Sequence, residues 1–518
     1  MMKTTEPCRD EMNVVARGEE AVAVLPEAEP QPAGTTLSLK RLALRGAVWI
    51  VTGYGLSHVL RLANNLILTR LLFPEAFGLM ALVTVVLVGV AMFSDIGIAP
   101  CIIQNKRGEE RDFLNTAWTI QVIRGFLLWL ACCGLARPLA AFYEQPQLVW
   151  MLPVSGLSAA FLGFGSTSLV LAKRRLALRR LTLLELGTQA LAIVTMVVWA
   201  LIHPTIWALV VGSLVAPAAK AALSHFVLPG ERCRFRWETE AARSLFRFGR
   251  WIFLSTALTF LVLQGDRLVF GKLLPLSLLG VYNIAVMMAM VPTNLNAQLG
   301  ASVVFPAYSN VARSGGQLAA VFQKSRSPMV MVGGLLSASL IAAAPWLIET
   351  LYDERYVEAG WMLQILAMGI VFQLLECANG CALLAVGKPA AVAAGHGAKL
   401  TGMMICIPIG WQLGGLQGAL VGLLVSEALR YLVSAMLIAR IGLFVIGRDL
   451  LLIAAVAITS LFGYVCGRLF GGSNWGSSGA TMTVAVCAAS LWWMPAVLRA
   501  LRQIVRAKTR ESDSAVGA

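Results

Sequence analysis

Charged side chains inside long apolar stretches are the groups in this chain best able to do chemistry. Six of them are basic and four are acidic. A charge at the centre of a membrane-spanning helix costs roughly 2.5–3.5 kcal/mol on insertion scales, so these groups should face a water-filled cavity or one another. The surplus of positive charge suits an anionic substrate. The ten residues are Arg61, Arg124, Lys220, Arg267, Lys399 and Arg430 together with Glu185, Asp266, Glu376 and Glu427.

Arg61 is the sharpest of these candidates because it belongs to a polar stripe. His58, Arg61 and Asn65 follow the i, i+3, i+7 spacing of one helical face, and Asn64 lies beside them. Such a stripe predicts either the lining of a transport path or structural hydrogen bonds between helices. Arginine recognises phosphate through its planar fork of donors. We therefore predict that Arg61, Asn64 and Asn65 bind substrate.

Four further basic residues are predicted to bind substrate, and each also has a structural interpretation. Neither Arg124 nor Lys399 has an obvious partner nearby in the sequence. Arg430 follows Glu427 at i, i+3 and can simply pair with it. The fourth, Arg267, is considered with its acidic neighbour below.

Two acids are candidates for coupling transport to a proton or to Na⁺, namely Asp266 and Glu376. Asp266 precedes Arg267 directly, and adjacent residues are about 100° apart on a helix. The two side chains therefore do not ideally neutralise each other. One of them can point into a cavity while the other packs against a neighbouring helix.

Long apolar helices must position these groups. The chain has 518 residues, of which 58% are hydrophobic and 13% charged. Its mean hydropathy is +0.75, whereas a soluble protein keeps far more charge on its surface. Runs of about 20 apolar residues match the roughly 30 Å hydrocarbon core. The prediction is an all-α polytopic membrane protein with about fourteen spans, at 46–69, 78–101, 115–136, 148–172, 181–202, 205–226, 249–271, 279–304, 328–350, 360–385, 389–411, 414–437, 449–470 and 478–498.

Basic residues alternate between the connections of these spans. One set of connections and the C-terminal tail hold 28 Lys and Arg residues, and the alternate set holds five. By the positive-inside rule, the basic set is predicted to be cytoplasmic, together with both termini. The expected location is the inner (plasma) membrane of a bacterium.

A hairpin that contains Arg61 recurs 202 residues later. At this offset, Asn64-Asn65 aligns with Asp266-Arg267, Arg70 aligns with Lys272 and Gly78 aligns with Gly280. Because each copy contains an even number of spans, the two copies enter the membrane in the same direction and form a parallel repeat. The predicted organisation is a flexible cytoplasmic tail (1–38), an N-terminal six-helix bundle (39–227), a cytoplasmic linker (228–248), a C-terminal six-helix bundle (249–438), a C-terminal helix pair (439–498) and a basic cytoplasmic tail (499–518).

Gly414, Gly418 and Gly422 form a small-xxx-small face that predicts close helix packing.

Signals for an enzyme or a cofactor are scarce. No GxxxxGK[ST] loop occurs, because Gly271-Lys272 continues into leucine and Gly387-Lys388 into proline. Neither HExxH nor GxSxG is present, and no Cys or His spacing suits zinc. We predict no catalysis, no cofactor and no metal site. The placement of the positive charge favours topology signals and an anionic partner over nucleic acid.

Several motifs resemble those of a known family. The segment 68–78, LTRLLFPEAFG, looks like the LxRxLxPxxFG signature of the polysaccharide transporter group, and 93–97, 265–267, 280–283 and 305–309 resemble its later motifs. The chain is identified by this resemblance as a member of the oligosaccharide flippase (Wzx-like) family. That family belongs to the superfamily of multidrug and toxic compound extrusion transporters and the lipid II flippase. The motif residues themselves are interpreted as largely structural.

The resemblance implies translocation of undecaprenyl-diphosphate-linked repeat units for O-antigen, capsule or exopolysaccharide assembly. The expected partners are that lipid-linked glycan, the bilayer, and polymerase and chain-length machinery. Alternating access of two bundles around a basic central cavity is the expected mechanism. The alternatives are a cation-coupled multidrug exporter, which would favour an acidic cavity, and a membrane glycosyltransferase or polymerase, for which the predicted outer loops are too short.

Overall fold

The computed structural model describes residues 33–95, 97–105, 107–174, 178–227, 233–300, 304–313, 318–443 and 446–471. Throughout these ranges the regular structure is helical. The N-terminal half comprises α1 (Ala33–Leu71), α2 (Pro74–Phe93), α3 (Ile98–Gln104), α4 (Arg111–Phe142), α5 (Leu148–Gly163), α6 (Ser168–Arg174), α7 (Leu178–Ile202) and α8 (Trp207–Val227). The C-terminal half comprises α9 (Thr239–Leu273), α10 (Leu276–Leu299), α11 (Phe305–Arg313), α12 (Leu318–Leu351), a 3₁₀ turn (Glu354–Tyr356), α13 (Ala359–Ala385), α14 (Pro389–Ala439) and α15 (Ile446–Gly471).

The predicted class, an all-α polytopic membrane protein, is confirmed. Eight helices of the described part are long and apolar enough to cross a membrane, and the bent pair α5–α6 would make a ninth span. Helices cover thirteen of the fourteen predicted spans, so the total of fourteen stays a prediction. The last predicted span, 478–498, and the predicted tail 499–518 lie outside the described residues, as does most of the predicted tail 1–38.

α14 contains two predicted spans joined by a sharp bend. Gly414 and Gly415 leave helical geometry, and Gly415 has φ of 57°, a left-handed conformation that favours glycine. The two arms then pack closely, since a methyl group at Gly410 would collide with the backbone of Gly418. Gly422 also packs closely, since a Cβ there would collide with the Cys406 carbonyl. The predicted packing face is thus formed by Gly418 and Gly422. The prediction for Gly414 was wrong, because that residue lies in the bend with open space beside it.

The repeat predicted from the sequence keeps its register in the structure. α1 and α9 end at Leu71 and Leu273, and α2 and α10 begin at Pro74 and Leu276, so the 202-residue offset holds at both points. Where α2 and α10 cross, Gly78 of one helix lies against Gly280 of the other. An added Cβ at either position would collide with a backbone carbonyl of the opposite helix. The duplicated glycine therefore lets the two halves approach at their backbones.

Contacts between connections define two ends of the molecule. At one end, called the tight-turn end, Arg355 donates to the Thr69 carbonyl at 3.0 Å, and Lys272 pairs with Glu144 at 2.7 Å. Lys272 lowers the pKa of the Glu144 carboxyl below its ordinary value, through its hydrogen bond and its charge. Both contacts join the N-terminal half to the C-terminal half.

The opposite end, called the basic end, carries the connections that are rich in Lys and Arg. Arg174 there donates to the carbonyl oxygens of Ile102 and Asn105 at 2.5 and 2.9 Å. Arg107 pairs with Glu238, just before α9, at 2.7 Å. The basic connections of the N-terminal half therefore hold one another and the start of the C-terminal half together.

Candidate functional site

α1 presents three different faces. Ser57 and Gln189 of α7 exchange two hydrogen bonds, so one face packs on α7. Leu56 and Val59 lie on a second face and are 47% and 62% exposed, which suits contact with lipid. The third face carries the polar stripe predicted from the sequence. Its end is buried, where Asn65 donates to the Tyr352 hydroxyl of the C-terminal half at 3.0 Å.

Arg61 lies one turn before Asn65 on this third face. Residues four apart are roughly 40° apart around a helix, whereas Leu56 is about 180° from Asn65. Ser57, on the face that packs on α7, is also four residues from Arg61, so Arg61 lies between the α7 contact and the Asn65 contact and faces away from the lipid-facing side. Its side chain is exposed and has no hydrogen bond or ion pair to any residue that the structure describes. A solvent-accessible guanidinium with free donors at this position can bind an anion.

The two asparagines beside Arg61 are more deeply placed. Asn65 is only 6% exposed, and its amide is occupied by Tyr352, so in this conformation it acts structurally. Asn64 contacts the Met196 sulfur at 3.7 Å, and its Oδ1 atom is buried without a hydrogen-bond partner. A buried amide oxygen of this kind is costly to leave unpaired. Asn64 can therefore accept a hydrogen bond from a hydroxyl that reaches it.

Arg124 holds the end of α2. Its Nε donates to Ser94 Oγ at 3.0 Å, and its Nη2 donates to the Ala91 carbonyl at 2.8 Å. A cation at a helix C-terminus satisfies carbonyl groups and complements the helix dipole. The structure therefore places Arg124 in a packing role between α4 and α2, with two of its five N–H donors engaged in these bonds.

Asp266 and Arg267 of α9 have separate partners. Asp266 is 9% exposed and accepts a 2.5 Å hydrogen bond from Tyr282 of α10. Arg267 donates from Nη1 to Gln264 at 2.6 Å, while its buried Nε has no hydrogen-bond partner. No ion pair joins the two neighbours in the described part of the chain. Arg267 thus keeps its positive charge uncompensated beside α10.

The C-terminal half contains a buried cluster of two ion pairs between α13 and α14. Arg430 contacts Glu376 at 2.6 Å, and Lys399 contacts Glu427 at 2.5 Å. The pairing of Arg430 with Glu427 expected from the sequence exists only as a longer 3.9 Å contact. Gln373 donates to Glu427 at 2.8 Å and extends the cluster along α13. The cluster is therefore neutral as a whole.

This cluster is not fully satisfied. Glu427 Oε2, Arg430 Nε and the Nδ1 atom of nearby His396 are buried without a hydrogen-bond partner. Buried polar networks of this kind are stable only when every member is paired. The unpaired atoms give the cluster the capacity to take up a proton, or to exchange one of its partners.

Ion pairs decide which of the ten intramembrane residues carry the net positive charge. Lys220 pairs with Glu185 at 3.0 Å, so with Lys399 and Arg430 three of the six intramembrane bases are neutralised. Arg61, Arg124 and Arg267 have no carboxylate within 4.0 Å among the described residues. The surplus therefore lies on α1, α4 and α9, and Lys399 and Arg430 can bind substrate only if their carboxylate partners move.

Sequence reasoning missed the neutral partners of these charges. Tyr282, Tyr352 and Gln373 each bind a predicted site residue or its partner. Tyr282 stands within the 280–283 motif, which was the one available signal, whereas Tyr352 and Gln373 carry no recognisable motif. Within the described ranges, no three His, Cys, Asp or Glu side chains come together as metal ligands would. We therefore assign no metal centre.

Comparison with known proteins agrees with this architecture. Residues 67–360, more than half of the chain, match the family model described as polysaccharide biosynthesis protein. The chain belongs to the polysaccharide biosynthesis protein family. This finding confirms the resemblance stated from the motifs.

Relatives within this family are distant in sequence. The lipopolysaccharide biosynthesis protein WzxC of Escherichia coli (strain K12) is 22% identical over 399 residues, which is 77% of this chain and 81% of WzxC. The succinoglycan biosynthesis transport protein ExoT of Rhizobium meliloti (strain 1021) is 23% identical over 328 residues, 62% of this chain and 65% of ExoT. Among solved structures, the lipid II flippase MurJ in an inward closed conformation superimposes with a TM-score of 0.68 at 12% identity, covering 88% of this chain and 99% of MurJ. An inward-facing multidrug resistance MATE family transporter gives 0.58 at 14% identity, covering 78% and 96%. These likenesses show a shared fold.

Proposed function

We propose that the protein is a flippase that moves undecaprenyl-diphosphate-linked oligosaccharide repeat units across the bacterial inner membrane. Such units serve O-antigen, capsule or exopolysaccharide assembly. Family membership and the MurJ-like fold support a transporter of a lipid-linked glycan. The observation that carries the proposal is Arg61, an exposed guanidinium without an ion-pair partner among the described residues, which lies between the contacts of α1 with α7 and with the C-terminal half.

In this proposal the two halves alternate their access around a basic cavity. Arg61 and Arg267 attract the diphosphate, because guanidinium groups bind phosphate oxygens in a bidentate manner. Asn64, Asn65 and Arg124 flank the path. The lipid tail stays in the bilayer while the head group crosses. Polymerase and chain-length machinery would then receive the unit on the far side.

Coupling to an ion is assigned to the acids of the C-terminal half. Protonation of Glu376 would remove the charge that holds Arg430, and the freed guanidinium could then bind a phosphate oxygen. Lys399 stands in the same relation to Glu427, so the cluster offers two cations when its acids are neutralised. Asp266 is a second candidate for a proton or Na⁺, with Tyr282 as its present partner.

A cation-coupled multidrug exporter is the second candidate, and the fold shared with the MATE transporter favours it. A drug cation requires acidic groups along its path. Of the ten intramembrane charges, those without an ion pair among the described residues are three arginines, Arg61, Arg124 and Arg267, and a single acid, Asp266, which is buried against Tyr282. A resistance assay in a host that lacks its own drug pumps distinguishes the two functions, because the flippase should give no protection.

Charge reversal tests the proposal directly. Arg61→Glu and Arg267→Glu should each reduce polymer export at least tenfold in cells that depend on this transporter, and lipid-linked units should accumulate at the inner leaflet. A charge-assisted hydrogen bond contributes about 1.5–3 kcal/mol, which is the basis of this magnitude. Arg70→Glu is the matched control, since Arg70 is exposed at the end of the same helix. If Arg61, Arg124 and Arg267 all tolerate glutamate with export intact, the basic cavity is wrong.

A further inference from the structure

The segment 233–238, called the linker strand, runs along α4 before α9 begins. Alternate residues of the strand donate their backbone N–H groups to polar side chains of α4. The three bonds are Arg234 to Asn115 at 3.0 Å, Arg236 to Thr119 at 3.1 Å and Glu238 to Thr116 at 3.0 Å. Thr119 also donates to the Arg236 carbonyl at 3.0 Å. The strand is therefore fixed to the N-terminal half by its backbone, which leaves the side chains of 234–237 exposed.

The four side chains of 234–237 alternate between arginine and aromatic residues, and all four are exposed. Phe235 and Trp237 are 67% and 54% exposed. Phe235 packs on Trp118 with ring centroids 4.7 Å apart and an interplanar angle of 49°, which orients its ring. Arg234 has no side-chain partner among the described residues, and Arg236 pairs with Asp112 at 2.7 Å while 60% of its side chain stays exposed. Two guanidinium groups and two aromatic rings thus share one small surface.

The length of α4 places this surface at the level of the lipid head groups. α4 has 32 residues, and at about 1.5 Å per residue it is roughly 48 Å long. The hydrocarbon core is only about 30 Å thick, so the ends of α4 extend into the interfacial layers. The linker strand lies beside the first turns of α4, at the basic end. Phe226, 85% exposed at the end of α8, precedes the strand at the same end.

We propose that the linker strand is a docking surface for anionic phospholipids. Arg234 and Arg236 would bind the head-group phosphate, and Phe235 and Trp237 would enter the interfacial layer, where aromatic rings are favoured. The available charge of Arg234, the partly exposed guanidinium of Arg236, the exposed rings and the head-group depth together favour this occupant. Acids beside the strand are bound to arginines: Arg107 pairs with Glu238 and Glu110 at 2.7 Å and with Glu240 at 3.5 Å. Arg234 is left with its charge available to a head group.

Lipid bound here would act on both halves of the transporter. The strand leads directly into α9, whose first turns pack into a core of the N-terminal half through Ala241, Ala242 and Leu245. α9 then continues through the C-terminal half. A phospholipid held by the strand therefore steadies the segment around which the halves must move, and it makes transport depend on anionic lipid.

Native mass spectrometry of the full-length protein tests the proposal. The wild type in phosphatidylcholine nanodiscs that contain phosphatidylglycerol should retain phosphatidylglycerol in preference to phosphatidylcholine. The double variant Arg234→Gln/Arg236→Gln should lose this preference by about fivefold for each arginine. Trp237→Ala keeps both arginines and should weaken retention by a smaller factor. Arg440→Gln is the matched control, because Arg440 is an exposed basic residue that precedes α15 in the C-terminal half.

The same measurement distinguishes phospholipid docking from general charge attraction and from substrate binding. Unchanged phosphatidylglycerol retention in the double variant would overturn the proposal, and so would an equal loss in Arg440→Gln, which would indicate general charge attraction. If Arg234→Gln/Arg236→Gln loses a polyprenyl diphosphate lipid but keeps phosphatidylglycerol, the surface serves the substrate and the proposal is wrong. Should the double variant elute as aggregate, Arg234→Gln alone, whose side chain has no partner to lose among the described residues, decides the question by the same measurement.

Discussion

α1 and α9 are equivalent helices of the repeat, yet they contact very different parts of the molecule. α1 packs on α7, and its described residues reach the C-terminal half near its end, where Asn65 donates to Tyr352 and Arg355 donates to the Thr69 carbonyl. α9 contacts the N-terminal half along its length. Phe260 packs on Phe93 of α2 with ring centroids 5.3 Å apart, and Lys272 binds Glu144. The first helix is thus peripheral, and its repeat partner joins the two halves.

The charges follow the same division. Arg61 of α1 is exposed and unpaired among the described residues, whereas Asp266 of α9, which is equivalent to Asn64, is buried against Tyr282. Deeper in the C-terminal half, Glu376 and Glu427 neutralise their basic partners. Duplication therefore preserved the scaffold while the interior charge diverged. Among the described intramembrane bases, the N-terminal half leaves Arg61 and Arg124 without an acidic partner, whereas the C-terminal half pairs Lys399 and Arg430 with acids and leaves only Arg267 without one.

The largest effect should come from breaking a buried pair of the C-terminal half. Glu376→Gln leaves Arg430 without its closest carboxylate, and removing one partner of a buried pair typically costs about 3–5 kcal/mol. Arg61→Gln removes no ion pair and should change the free energy of unfolding by less than about 0.5 kcal/mol. Urea or thermal unfolding of the purified variants in detergent measures both values. Equal losses would mean that the two halves do not differ as described.

A double replacement serves as the control for this prediction. In Glu376→Leu/Arg430→Met no buried charge of that pair remains, so much of the lost stability should return. Transport should still fail if Arg430 contributes to the site. Recovery of stability without recovery of export would separate the structural role of the pair from its functional role.

The sequence predicted the scaffold well because the scaffold depends on local and periodic features. Apolar runs, the Pro74 turn and the Gly78–Gly280 offset were sufficient to give the helices and the register of the repeat. The partners of the charges were not predictable in this way. Arg430 lies at i, i+3 from Glu427 but is closest to Glu376 of α13, because helix packing decides which side chains meet.

The next largest loss of stability is expected at the crossing of α2 and α10, where the two copies of the repeat are most nearly symmetric. Gly78→Ala and Gly280→Ala each force a methyl group against a backbone carbonyl, and overpacking of this kind costs about 1–3 kcal/mol. The two variants should lose similar amounts of stability. Gly134→Ala, at a helix position with open space beside it, should be neutral or slightly stabilising. A loss at only one of the two crossing glycines, measured by thermal unfolding, would show that the crossing is not symmetric.

The smallest expected effect is a pH-dependent change in melting temperature, and it compares the equivalent bases Arg70 and Lys272. Only Lys272 has an acidic partner among the described residues, Glu144, whose pKa it lowers. A group with a lowered pKa stabilises the folded state above its ordinary pKa, here 4.5, and loses that contribution as the pH falls through the lowered value. The melting temperature of wild type should therefore exceed that of Glu144→Gln slightly at neutral pH, and the difference should vanish as the pH falls well below 4.5. Arg70→Gln should show no such pH dependence. Because Glu144 is largely exposed, added salt should weaken the difference, and a difference that persists in acid would contradict the assignment of this ion pair.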